Sequence, residues 1–267
     1  MEVTVAEFTS HPPGTFCWPE LSTTDQKAAV AFYRALFGWE LDDQPMGPGE
    51  TYSMFQMRGK PVGAAHTMRP EEKQSGAPSH WNSYVTVANV EESAKKAAAL
   101  GGKLFGPPFD VMDSGRMAIV QDPTGAMIQL WQANKHIGAM ILNEPGALCW
   151  TELTTSDTAA AEKFYTGLLG WGVKHAAPAA AMEYTEFSVN GQPSIGMMPK
   201  PAGMPAHIPS YWMPYFQVEN TDASVAKAHT LGGKTMVPAQ DIPGTGRFAI
   251  LTDPQGAMFA VFQFTQR

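Results

Sequence analysis

Two glutamates carry the first chemical signal in this chain. Glu20 lies in Cys17-Trp18-Pro19-Glu20-Leu21 and Glu152 in Cys149-Trp150-Thr151-Glu152-Leu153, each two residues beyond a tryptophan. Residues two apart on a strand share a face, so each carboxyl is placed beside an indole. A carboxyl in an apolar hollow is costly unless hydrogen-bonded, and desolvation raises its pKa, the condition of a general base. The alternative is that each glutamate is tied to a neighbouring Arg, Tyr or backbone donor and stiffens the sheet. Arg116 and Arg247, each after a glycine, are candidate partners for that role. Both readings stand on the sequence.

The two glutamates are equivalent because the chain repeats. Gly14–Glu40 returns at Gly146–Gly172, displaced by 132 residues, with Cys-Trp-x-Glu-Leu, Thr-x-Asp, Phe-Tyr and Gly-Trp in register. Leu100-Gly-Gly-Lys103 returns as Leu231-Gly-Gly-Lys234, and Asp122-Pro-Thr-Gly-Ala-Met127 as Asp253-Pro-Gln-Gly-Ala-Met258. A unit this long is a duplicated domain rather than a solenoid repeat of ~20–50 residues. We expect a first domain over 1–132, a linker over 133–145 and a second domain over 146–267.

Local signals set the elements that position the glutamates. Residues 14–22 read as a strand with Phe16, Trp18 and Glu20 on one face and Cys17 and Leu21 on the other. Thr24-Asp25 offers an N-cap, and Ala29, Phe32, Tyr33, Leu36 and Phe37 follow at helical spacing until Gly38. That stripe must cover a sheet, so Cys17 and Leu21 are expected to face the helix, and Trp18 and Glu20 the opposite side. Strand-like runs follow at TYSMFQM and PVGAAHTM, with Arg58-Gly59-Lys60 between them. In the second copy Asn190-Gly191 is a strong hairpin signal. The Pro-rich segments Arg69–Ser79 and Lys200–Ser210 read as exposed connections or lids. Each copy then begins again with a strand, a capped helix and three further strands. The order is β-α-β-β-β four times over.

Bulk properties exclude several classes. A net charge of −7 without a basic stripe argues against nucleic acid, and no apolar run approaches the ~20 residues of a membrane span. No signal peptide is visible at Met1–Ser10, and Cys17 and Cys149, at equivalent places in separate domains, are expected to be unbridged. Together these point to a cytoplasmic setting, with non-classical export left open. Monomer and homodimer are both compatible with the sequence.

The unit order, with the spacing of Asp25, Phe32-Tyr33, Gly38-Trp39 and Asp122-Pro123-x-Gly125, resembles the vicinal oxygen chelate superfamily. Its members include glyoxalase I, extradiol dioxygenases, fosfomycin-resistance enzymes and bleomycin-binding proteins. More closely, the chain is similar to two-domain actinomycete proteins described as glyoxalases or hydroxylases. The resemblance covers nearly the whole chain. It implies an α+β fold of two tandem glyoxalase-like domains, each of two βαβββ units forming a curled mixed sheet around a cavity, with the helices outside.

The resemblance also implies where a divalent ion would be held. The first-strand position, seven residues before the capping Asp, is Trp18 in copy one and Trp150 in copy two. The position opening the second unit is Asn82 or Met213, and the last-strand position is Gln129 or Ala260. None of the six is a His or a carboxylate, and indole and thioether do not replace imidazole or carboxylate oxygen. The expected state is therefore metal-free. The alternative is displaced ligands, a divalent metal near Glu20, His66 and Gln129. Other inward residues are Tyr84, Met127 and Trp131 in copy one, and Tyr215, Gln217, Met258 and Phe262 in copy two. His80 flanks the first Pro-rich segment.

Aromatic walls with a few polar groups are the usual make-up of a small-molecule pocket. The chain therefore reads as a protein that binds a small aromatic or carbonyl compound in an apolar cavity without metal, as a binding or resistance protein or a metal-free enzyme. Its competitor is a metal-dependent lyase, isomerase, dioxygenase or hydroxylase with displaced ligands.

Overall fold

The computed structural model describes residues 7–74, 76–176, 183–205 and 207–265. Copy one runs β1 (Phe16–Thr23), α1 (Gln26–Phe37), β2 (Glu40–Gly47), β3 (Glu50–Met57), β4 (Lys60–Thr67), α2 (Pro70–Gln74), β5 (His80–Thr86), α3 (Val90–Ala99), β6 (Lys103–Leu104), β7 (Phe109–Val111), β8 (Gly115–Gln121) and β9 (Met127–Ala133). Copy two runs β10 (Leu148–Thr155), α4 (Thr158–Leu169), β11 (Gly172–His175), β12 (Thr185–Val189), β13 (Gln192–Pro199), β14 (Tyr211–Gln217), α5 (Thr221–Thr230), β15 (Lys234–Ile242), β16 (Gly246–Thr252) and β17 (Met258–Phe264).

Each copy builds its own curled mixed sheet. The order is β2-β3-β4-β1-β5-β9-β8-β6, with β7 on β8, and then β11-β12-β13-β10-β14-β17-β16-β15. The glutamate strands are central: β1 lies parallel to β4 and antiparallel to β5, and β10 relates likewise to β13 and β14. All eight residues of β1 are buried, as a strand covered on both faces requires.

The caps act as their residue types predict. The Asp25 side chain accepts from the Ala28 N–H, and the helix stops at Gly38 in the left-handed region, where a residue without a Cβ is unstrained. Asp157 and Gly170 repeat this in α4. Arg58-Gly59 and Asn190-Gly191 both take positive φ at consecutive positions, the backbone of a tight hairpin turn.

One expectation about strand faces is corrected. The pairing of β1 with β5 shifts register between Phe16 and Trp18, and that of β10 with β14 shifts between Leu148 and Trp150. A bulge of this kind adds one residue and inverts the alternation before it. Phe16 therefore packs with the helix-side core, as does Leu21, whereas Cys17 joins Trp18 in the core of the inner face. Trp18 and Glu20 share the inner face as expected.

The helices do not face solvent alone. Phe32, Tyr33 and Leu36 of α1 pack in one core with Phe216, Phe259 and Val261 of copy two, and Phe164, Tyr165 and Leu168 of α4 pack with Val85, Ala118 and Leu130 of copy one. Reciprocal hydrogen bonds pin this joint. The Tyr33 hydroxyl donates to Asp253 (3.2 Å) and the Tyr165 hydroxyl to Asp122 (2.9 Å), while Trp81 and Trp212 donate to those same hydroxyls. Trp39 donates to the Gly146 carbonyl and Trp171 to that of Gly14. The Phe-Tyr, Gly-Trp and Asp-Pro-x-Gly signatures thus bind one copy to the other. Both cysteines are free and buried.

Candidate functional site: two glutamates on equivalent inner faces

Glu20 lies at the centre of the first inner face. Its Oε1 accepts from the Tyr84 hydroxyl at 2.8 Å and its Oε2 from the Tyr52 hydroxyl at 2.7 Å, while the Trp18 indole N–H donates to the Tyr52 oxygen at 2.9 Å. The register explains the convergence: Glu20 faces Asn82 and Ala64, Trp18 faces Tyr84, and Tyr52 faces His66. Burial and the Glu20 charge raise both tyrosines well above their ordinary range, so they remain donors.

His66 completes the charge balance. Its Nε2 is 3.4 Å from Glu20 Oε1 and its Nδ1 is 2.9 Å from the Thr67 carbonyl. Both neighbours are acceptors, which suits an imidazolium with two N–H donors. Burial works against charge on each partner, raising Glu20 and lowering His66. Their mutual attraction, with the tyrosine hydroxyls on Glu20 and the Thr67 carbonyl on His66, outweighs it. The net result holds Glu20 below and His66 above the ordinary value.

Copy two repeats the network without the histidine. Tyr215 and Tyr184 donate to the two oxygens of Glu152 at 2.7 and 2.8 Å, and Trp150 donates to Tyr184 at 3.1 Å. Gly196, opposite Glu152, makes room: a Cβ there would meet the Tyr184 hydroxyl at 1.9 Å. The place of His66, opposite Ser22, is taken by Met198, opposite Thr154. Burial then prevails over the two hydroxyls and raises the Glu152 pKa. The arginines are not partners of either glutamate, correcting that expectation. Arg116 pairs with Glu91 and Asp110, and Arg247 with Asp222 and Asp241, because both side chains leave their strand toward solvent.

The remaining candidates divide between the copies. Asn82 and Gln129 meet, with the Gln129 amide N–H donating to Asn82 Oδ1 at 3.1 Å. Gln129 Oε1 is buried and unpaired. Trp131, Tyr84 and Trp18 form the apolar wall with Met117, and Met127 lies half-buried on the same face of β9. In copy two Met213, Tyr215 and Ala260 share a cluster with Phe262, against which the half-buried Trp150 packs. His80 bonds the Pro78 carbonyl at the margin of copy one.

Three participants escaped the sequence reading. Tyr52 lies in the strand-like run TYSMFQM and Tyr184 immediately before β12, but nothing local shows that their hydroxyls reach a glutamate on a non-adjacent strand. His136 lies between β9 and β10. The chain after β9 returns over copy one, where the Ala139 N–H donates to the Cys17 carbonyl at 2.7 Å and His136 stands edge-on to Trp18 at 4.5 Å. Gly138 permits this approach, with φ 103° and with Cys17 O 2.4 Å from where a Cβ would be. Burial lowers the His136 pKa to about 4, so the ring is neutral, and its Nε2 is unpaired.

A depression of about 560 Å³ lies on the outer side, beside Thr24–Lys27, Asp43, Thr51 and Ser53. Gln26 there is bonded to Thr51 O, Ser53 and Ala65 O, and among the described residues none lining this hollow has a side-chain group that is both buried and unpaired.

Known proteins share this architecture. The family model for the glyoxalase, bleomycin resistance protein and dioxygenase superfamily matches residues 16–130 and again 147–261. The chain belongs to that superfamily. CFP32 of Mycobacterium tuberculosis, named provisionally as a glyoxylase, is 43% identical over 251 residues, covering 94% of this chain and 95% of that protein. The anthracycline biosynthesis protein DnrV of Streptomyces peucetius is 30% identical over 97% of this chain and 96% of its own length. Among solved structures, the Mn(II)-bound glyoxalase of Novosphingobium aromaticivorans superposes with a TM-score of 0.64 at 14% identity, covering 94% of this chain and 82% of its own. The 2,3-dioxygenase LapB of Pseudomonas sp. KL28 gives 0.63 at 15%, covering 98% and 94%.

The superfamily's ligand positions can be tested against these residues. The Trp18 indole is engaged with Tyr52, and Asn82 Oδ1 accepts from Gln129. Trp150, Met213 and Ala260 offer no oxygen or imidazole nitrogen. Among the described residues no three His, Cys, Asp or Glu side chains converge as a metal site. Glu20 and His66 do meet, but both Glu20 oxygens are engaged by tyrosines and the next donor is an amide. The residues at the superfamily's positions do not fit a divalent ion.

Proposed function

We propose that the protein binds a small, partly aromatic or carbonyl compound on the inner face of copy one, without a metal. The ligand lies between Trp18, Tyr84, Met127 and Trp131, donates one hydroxyl or N–H to Gln129 Oε1 and another to the remaining lone pair of a Glu20 oxygen. That buried, unpaired acceptor is the observation that carries the reading, because a buried polar atom without a partner costs about 1–3 kcal/mol that a ligand donor recovers. Glu20 and His66 supply a coupled acid and base at the wall. In the ion-paired state His66 holds a proton to give and Glu20 a site to receive one. Similarity to CFP32, named as a glyoxylase, favours turnover by this couple over simple storage.

The test is a tryptophan-fluorescence screen of small aromatic and carbonyl compounds, followed by titration of the ligand found into wild type, Glu20→Gln and Glu152→Gln. Loss of a buried hydrogen bond to Glu20, about 1–3 kcal/mol, weakens binding roughly five- to hundredfold. If Glu152→Gln weakens the same ligand and Glu20→Gln does not, the site lies in copy two and the proposal fails.

A further inference from the structure

The inner face of copy two presents a different opportunity. Glu152 is held by two hydroxyls and, among the described residues, has no cationic side chain paired with it. Tyr184 and Tyr215 hold it, Trp150 backs Tyr184, and Tyr211, Phe248 and Phe262 belong to the apolar cluster of Tyr215. Trp150, Tyr184, Tyr211 and Phe248 are half-buried, so part of this wall is exposed, whereas Trp18 in copy one is only 4% exposed with His136 against it. The polar pair Asn82 and Gln129 is replaced by Met213 and Ala260, which removes neutral hydrogen-bonding groups and leaves aromatic faces, thioethers and one carboxyl. At the rim, Glu186 occupies the place of Met54 and is paired with Lys174 at 3.5 Å.

We infer that copy two is a binding site for a small organic cation, an ammonium ion with alkyl or aryl substituents. A carboxylate among aromatic faces attracts such an ion twice, through its own charge and through the negative faces of the rings. Copy one meets the same need internally, since His66 is the cation of Glu20. In copy two the equivalent residue is Met198, and the positive charge comes from the ligand. Burial makes a lone Glu152 carboxylate unfavourable, in keeping with its raised pKa, and a bound cation relieves this. The inference concerns copy two alone and stands independently of the reading given for copy one.

Isothermal titration of the intact protein with choline, beside its uncharged isostere 3,3-dimethylbutan-1-ol, tests it. The two probes have the same shape and differ in charge. Choline is expected to bind saturably and at least tenfold more tightly than the isostere. Glu152→Gln should weaken choline at least fivefold. Met198→His, which keeps Glu152 and its tyrosines and adds the cation found in copy one, should weaken it as much. Retained circular dichroism shows that each variant folds. Equal binding of the two probes, no binding of choline, or affinity unchanged in both variants overturns the inference.

Discussion

The two inner faces carry one network under two charge balances. Trp18, Tyr52, Glu20 and Tyr84 match Trp150, Tyr184, Glu152 and Tyr215 bond for bond. What differs is the next shell: His66, Asn82, Gln129 and the covering His136 in copy one, and Met198, Met213, Ala260 and a half-buried Trp150 in copy two. Duplication preserved the frame that holds the carboxyl and let the surroundings diverge. The joint between the copies did not diverge. Its tyrosine–aspartate and tryptophan–carbonyl bonds are reciprocal.

The largest effect should come from that joint. Trp39 and Trp171 are 2% and 4% exposed, and replacing either by alanine should cost about 3–5 kcal/mol of unfolding free energy. Chemical denaturation should give similar losses for the two. A loss in one and not the other would show that the joint is functionally one-sided.

Next is the charge balance. His66→Met leaves Glu20 with only its two hydroxyls and should cost about 1–3 kcal/mol near pH 6, as loss of one partner of a largely buried pair does. The sign of the pH dependence follows from the shifts. His66, raised when folded, contributes stability that is fully present below its unfolded pKa of about 6.5 and lost as pH rises through its folded value. Glu20, depressed when folded, contributes stability present above about 4.3 and lost as pH falls through its folded value. Glu152 is the reverse: its contribution is present below about 4.3 and lost as pH rises through its raised value. Denaturation from pH 3 to 9 should show the alkaline loss in wild type and not in His66→Met.

A smaller effect with the opposite sign is expected at Gln129. Gln129→Leu alone also breaks the bond to Asn82, so the informative variant is Gln129→Leu with Asn82→Leu, which removes the buried unpaired oxygen and both ends of that bond and should stabilise the protein by about 1 kcal/mol while weakening the copy-one ligand. The two effects together would mark a site kept for binding at the expense of stability. A destabilised variant would show that Oε1 is satisfied by water. The smallest difference should be between the thiols. Burial pushes Cys17 up to about 12 and raises Cys149 as well, so neither should react with a disulfide reagent at pH 8 until the protein unfolds.

Much of this was legible because local rules and the repeat agreed. The 132-residue displacement, the cap at Asp25 and the alternation of Trp18 and Glu20 were enough to place the glutamates on an inner face. Less was legible where register decides. The bulge that turns Cys17 inward leaves no mark in FCWPEL, and the edge strand β2, ELDDQPMG, is exposed along most of its length and shows no alternation. Tyr52 and Tyr184 reach the glutamates only after β4 and β13 are inserted beside the central strands. His136 lies beyond the last strand, and its place against Trp18 depends on the return of the chain at Gly138. The Phe-Tyr and Gly-Trp motifs drew attention through repetition, and their work proves to be in the joint between the copies.

The contrast between the two carboxyls can be measured directly. In protein labelled with ¹³C at the glutamate side-chain carboxyl carbon, Glu20→Gln and Glu152→Gln assign the two signals, and a pH titration by NMR reads their pKa values. Glu20 should titrate below the ordinary ~4.3 and Glu152 above it, and His66→Met should raise Glu20 while Met198→His lowers Glu152. Two glutamates shifted in the same direction, or a Glu20 unmoved by loss of His66, would contradict this account of the two faces.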